Sequence, residues 1–120
     1  MIWIADLLVA LVAVLHACFL VLEMFLWTRP IGLKTFHNSI EKARDSQVLA
    51  ANQGLYNGFL AAGLVWGLAE GHAAFAFQIK LFFLLCVMVA GIYGAATVSG
   101  RILLVQAAPA AIALILLWLA

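Results

Sequence analysis

The chain alternates long apolar stretches with short polar breaks. Residues 2–27 are apolar apart from a few positions, among them Asp6, His16 and Glu23. A polar segment follows over 28–47, and three further apolar runs cover 48–68, 74–98 and 102–119. Each run is continuous rather than alternating and is close to the ~20 residues that a helix needs to cross a hydrocarbon layer at 1.5 Å rise per residue. The pattern predicts an all-α integral membrane protein with four transmembrane helices at about 2–27, 48–68, 74–98 and 102–119. Connections of a few residues after the second and third helices force antiparallel neighbours. The expected architecture is therefore an up-down bundle forming one domain over 1–120, with the large loop at 28–47. A β-barrel would need strands of roughly ten residues alternating polar and apolar, which this sequence lacks.

Composition agrees with this pattern. The 120 residues are 68% hydrophobic and 9% charged, with a mean hydropathy of +1.20, against roughly 25% charged in soluble domains. A soluble domain this short cannot hide so much apolar surface. The start, Met1-Ile2-Trp3-Ile4-Ala5-Asp6, carries an acid and no base. With a run this long, it reads as a retained first helix rather than a signal sequence.

Charge sets the expected orientation. Arg29, Lys34, Lys42 and Arg44 lie in the first loop and Arg101 in the third, whereas the second loop holds Glu70 and His72 and no Lys or Arg. Lys80 sits near the outer edge of the third helix. Basic residues collect on the cytoplasmic side, so both termini should face away from the cytoplasm. Within the loop, Arg29-Pro30-Ile31-Gly32 is turn chemistry. Asn38 or Ser39 can cap a short helix whose apolar side (Ile40, Ala43, Gln47) would lie on headgroups, and a plain solvated basic loop is the simpler reading.

Small residues mark close helix approach. Gly54 and Gly58, and again Gly63 and Gly67, form GxxxG pairs, and Cys86, Ala90, Gly94 and Val98 make a similar stripe. Such faces serve the fold itself or a homo-oligomer. Gly54-Leu55-Tyr56-Asn57-Gly58 and Gly91-Ile92-Tyr93-Gly94 echo each other faintly. Pro109 should kink the fourth helix by removing a backbone bond.

Polar residues inside a span usually face the protein interior or a water path. His16 and Glu23 are seven apart, about 20° from one another and roughly 10 Å apart along one helix face. Asn52, Gln53, Tyr56 and Asn57 place four hydrogen-bonding side chains within six residues of the second helix at the depth of Glu23. Tyr93 and Arg101 lie toward the same membrane face. These eight residues can line a cytoplasm-facing polar pocket. A structural clamp, a satisfied core histidine and a Glu23–Arg29 pair are the simpler alternatives. Asp6 and Lys80 are expected to pair for structure.

Other chemistries lack their signatures. There is no metal-ligand spacing, no phosphate loop, no nucleophile elbow and no cationic stripe for nucleic acid, so no metal, cofactor or nucleic-acid partner is expected. Cys18 and Cys86 are isolated and read as small hydrophobes.

The run Asn52-Gln53-Gly54-Leu55-Tyr56-Asn57-Gly58, with Leu15-His16 and Leu22-Glu23-Met24-Phe25-Leu26-Trp27, resembles the small bacterial membrane proteins grouped as domain of unknown function 1304. The resemblance covers nearly the whole chain and implies a multi-pass protein of the bacterial cytoplasmic membrane, with no reaction attached. A more distant likeness, one of architecture, is to the membrane-associated proteins of eicosanoid and glutathione metabolism. Their second helix carries Asn-x-x-Glu, but here Leu55 follows Asn52 where the Glu should stand, which argues against glutathione binding.

Three functions follow from these readings. The first is binding or transport of a small solute or a proton at the polar pocket. A homo-oligomer is then expected, through Gly54, Gly58, Gly63 and Gly67 or through the Ala90 and Gly94 face. The second is a membrane enzyme on a lipophilic substrate, with Glu23 or His16 as general acid/base and Tyr56, Tyr93 and Arg101 as polarising groups. The third is an accessory subunit docked on a larger membrane complex.

Overall fold

The computed structural model describes residues 2–120, and every regular element among them is helical. In chain order these are α1 (Ile2–Met24), α2 (Pro30–Phe36), α3 (Ile40–Asp45), α4 (Gln47–Ala69), α5 (Ala73–Thr97), a π-helical segment (Leu103–Ala107) and α6 (Ala108–Leu119). Two of them, α1 and α5, are long and apolar enough to cross a membrane. α4 matches α1 at 23 residues, but Asn52, Gln53 and Asn57 in its first half make it more polar. The last apolar stretch is shorter, Leu103–Leu119.

The chain forms two compact units. One comprises the described part of Met1–Leu15 with Leu60–Ala120, the other His16–Phe59. α1 and α4 lend residues to both.

The first unit is built on small and branched side chains at helical spacing. Ala5, Val9 and Val12 of α1, Leu64 of α4, Leu84 and Val87 of α5, and Ala110, Ala113 and Leu117 of α6 form its core. Intervals of three, four and seven residues put each set on one helix face. Glycines set the α4–α5 approach. A Cβ on Gly63 would collide with the Phe83 ring, and one on Gly67 would fall 2.7 Å from Lys80 Cγ. Lys80, 5% exposed, reaches Asp6 Oδ1 at 2.7 Å, the pair expected from sequence. His72 caps α5, its Nδ1 accepting from the Phe75 backbone N–H at 3.3 Å.

Pro109 acts through a widened turn. The Ala108 N–H donates to Leu103 O, five residues back, so the helix enters the proline through a π turn. Five residues of α-helix would set Ile102 and Ala107 about 140° apart. The wider turn lets both face α5, where Gly94 lies against Ile102 and Gly91 lies against Ala107.

The second unit departs from the expected plain loop. α1 stops at Met24 rather than continuing through Trp27. It closes on a wide turn, the Leu26 N–H donating to the Val21 carbonyl at 3.2 Å, and the residue before Pro30 is then extended, Arg29 having φ −85° and ψ 159°. Pro30 then opens α2, where its missing N–H costs nothing. α2 closes on His37 in the left-handed region, φ 55°. Ser39 caps α3, its hydroxyl accepting from the Lys42 N–H at 3.2 Å. Of the α3 side expected on headgroups, Ala43 is instead fully buried in the protein and Ile40 half-buried, whereas Gln47 is exposed. The Trp27 indole N–H donates to Ser46 Oγ at 3.2 Å, and its ring lies 4.9 Å from that of Phe36.

Candidate functional site

In the second unit α1 presents His16, Leu20 and Glu23 at intervals of four and three, one helix face. α4 presents Gly54 with Asn57 and Gly58, three and four residues further on. The two faces meet because Gly54 has no side chain. A Cβ there would stand 2.7 Å from Met24 Cγ, 3.0 Å from Glu23 Cβ and 3.2 Å from the Leu20 carbonyl oxygen. One turn on, Asn57 Nδ2 donates to Glu23 Oε1 at 2.5 Å. Carboxyl and amide form a matched couple, since an amide offers both a donor and an acceptor and can serve either protonation state of the acid.

His16 is fully buried, and its ring sits edge-on to Phe19 at 5.3 Å. Leu20 lies between His16 and Glu23 along the face, its Cδ1 filling the space that a Cβ on Gly58 would take. The two ionisable groups are thus separate stations with a hydrocarbon side chain between them.

The amide-rich stretch divides rather than converging. Asn57 faces α1, whereas Asn52, Gln53 and Tyr56 are exposed. Asn52 donates to the Val48 carbonyl of its own helix at 2.9 Å, and the Tyr56 ring lies 6.2 Å from Phe59. The helical repeat gives the reason: with Gly54 and Gly58 fixing the inward side, Tyr56 is rotated about 100° and Asn52 about 140° from Asn57. Of the two expected roles for Glu23, pairing with Arg29 or meeting the α4 amides, the structure takes the second. Tyr93 and Arg101 belong to the first unit and are exposed there. The Tyr93 carbonyl accepts from Thr97 Oγ1 at 2.8 Å, and the Arg101 N–H donates to Ser99 Oγ at 3.2 Å.

The sequence reading passed over Gln106, a half-buried amide on the π turn. Its signal was present: a lone polar side chain three residues before a proline in an apolar run. Gly54, Gly58, Gly63 and Gly67 all meet side chains of their own chain, so these glycines serve packing within it. In the first unit, one apolar groove of about 330 Å³ is lined by Leu114, Ile115, Trp118 and Leu119. A second, of about 290 Å³, lies along Trp66, Phe75, Ile79 and Phe82. Among the described residues no group of three or more His, Cys, Asp or Glu is arranged to hold a metal ion. Every buried side-chain nitrogen and oxygen among them has a hydrogen-bond partner.

Residues 10–118 match the family described as Protein of unknown function (DUF1304), and the chain belongs to that family. Neither the curated proteins nor the solved structures yield a match.

Proposed function

We propose that this is a four-span protein of the bacterial cytoplasmic membrane, with both termini outside the cytoplasm. In this reading the Glu23–Asn57 couple is the site where a proton or a small polar solute engages. The observation that carries the reading is the hydrogen bond itself: a carboxyl on an apolar helix, turned toward an amide of the neighbouring helix. Placing an ionisable group in a span is expensive, and such groups are retained for relays and substrate paths. Further support comes from α1 and α5, from the apolar stretch Leu103–Leu119, and from the placing of five of the six Lys and Arg residues in the first and third loops, with none in the second. Four helices make a thin pathway, so a homo-oligomer is part of the proposal. With the four α4 glycines covered and Gly94 packed on Ile102, exposed Ala90 of α5 is what remains of the expected small-residue faces for a second copy.

The test is flux in proteoliposomes carrying an internal pH dye under an imposed pH gradient. Native protein should dissipate the gradient and Glu23→Gln should not. Equal rates for the two remove the proposal. One observation favours a second reading, an accessory subunit without transport of its own: among the described residues the buried polar side chains are fully paired, and Leu20 lies between His16 and Glu23 along the helix face. Equal flux, together with co-purification of a stoichiometric membrane partner, would favour it.

A further inference from the structure

The α2–α3 strap turns part of its apolar surface inward. Gly32 and Ala43 are buried and Trp27 and Phe36 half-buried. Gly32 packs so tightly that a Cβ would overlap the Leu26 carbonyl oxygen. The Trp27–Ser46 bond fastens one end of the strap to the other, and Ser46 Oγ donates in turn to the Lys42 carbonyl at 2.7 Å. What the strap offers outward is charge. Arg29, Lys34, Lys42 and Arg44 are all exposed, against two acids, Glu41 and Asp45. Among the described residues no carboxylate lies within ion-pair distance of any of the four cations.

Bare apolar side chains flank these cations where the strap joins the long helices. Phe25 is 67% and Val48 77% exposed, with Ile31 and Leu49 also exposed. Unpaired cations beside uncovered hydrocarbon are the composition of a segment lying at a membrane surface. A nucleic acid would need a longer cationic track and no greasy flank. A soluble acidic protein would leave Phe25 and Val48 in water.

We infer that the outer side of the α2–α3 strap is a seat for anionic phospholipid headgroups, whose phosphates Arg29, Lys34, Lys42 and Arg44 engage while Phe25, Ile31, Val48 and Leu49 enter the acyl boundary. This rests on the membrane reading above. Arginine grips phosphate in a planar fork and lysine as a point charge. Because the strap is folded and fastened beforehand, little ordering is needed when headgroups arrive.

The experiment is amide hydrogen exchange on the full chain in nanodiscs. Pure phosphatidylcholine is compared with a mixture containing roughly a third phosphatidylglycerol. Amides of residues 29–46 should exchange roughly tenfold more slowly in the anionic mixture, and the difference should fade as salt is raised. The variant Arg29→Gln/Lys34→Gln/Lys42→Gln/Arg44→Gln should show no difference between compositions. Equal exchange of the native chain in both compositions overturns the inference. So does equal protection by excess inorganic phosphate in phosphatidylcholine alone, which would mark a soluble-anion site. Salt dependence of the native chain decides the matter if the variant does not fold. Failure of the native chain to enter nanodiscs would instead overturn the membrane reading, and the headgroup seat with it.

Discussion

Gly67 lies against the stem of Lys80, and that bare position lets the lysine run along α4 to meet Asp6 at 2.7 Å. The ammonium is almost wholly covered, so the value of the pair lies in not leaving a cation alone. Asp6→Asn should cost about 2 kcal/mol, below the usual figure for a buried pair because the Asp6 side chain is 36% exposed. Replacing both, Asp6→Leu with Lys80→Met, should restore stability to within about 1 kcal/mol of the native chain. Thermal unfolding in detergent reads both. A double variant no better than the single one would show that the ion pair itself stabilises the fold.

The two members of the Glu23–Asn57 couple should respond unequally. Glu23→Gln keeps an oxygen that accepts from Asn57 and should change stability by less than about 1 kcal/mol. Asn57→Leu leaves a half-buried carboxyl without its donor and should cost about 1–3 kcal/mol. Equal losses for the two variants would contradict this assignment of donor and acceptor.

Glycines that look alike in sequence should not behave alike. At Gly58 an added methyl meets only the Leu20 tip, which can swing aside. Gly58→Ala should therefore lie within about 1 kcal/mol of native, helped by the higher helix propensity of alanine. At Gly32 the obstacle is the Leu26 backbone oxygen, which cannot rotate away, and Gly32→Ala should lose about 2–3 kcal/mol. The order of unfolding temperatures settles the point, and a reversed order would show that the strap is looser than described.

Trp27→Phe keeps a ring against Phe36 and removes the indole N–H. A loss of about 0.5–1.5 kcal/mol is expected, and a double-mutant cycle with Ser46→Ala should return most of it as coupling. Additive single effects would place the Trp27 contribution in ring packing alone.

The long helices were legible from sequence because each is written as a continuous apolar run: 2–27, 48–68 and 74–98 fall within three residues of α1, α4 and α5. The Asp6–Lys80 pair was legible too, since the first and third helices of an up-down bundle run the same way and bring residues near their starts to one level. The strap was only half legible. Ser39 announced α3, but Pro30 was read as a turn residue when it also opens a helix. The polar stretch was legible as a dense cluster, but the convergence expected of all four side chains holds for Asn57, whereas Asn52, Gln53 and Tyr56 are exposed. Counting amides finds Asn52, Gln53 and Asn57 alike; only the inward side fixed by Gly54 and Gly58 singles out Asn57. Nothing in the local pattern announces a π turn except Pro109 itself, and Gln106 was passed over with it.

That wide turn leaves a debt in the last helix. The Ala108 N–H passes over Leu104 to reach Leu103, and residue 109, being proline, has no hydrogen to offer. The Leu104 oxygen is thereby left without a donor from its own helix. A wide turn closed by a stiff ring fixes the angle at which α6 leaves Ala107, and that angle seats Ala110, Ala113 and Leu117 in the core.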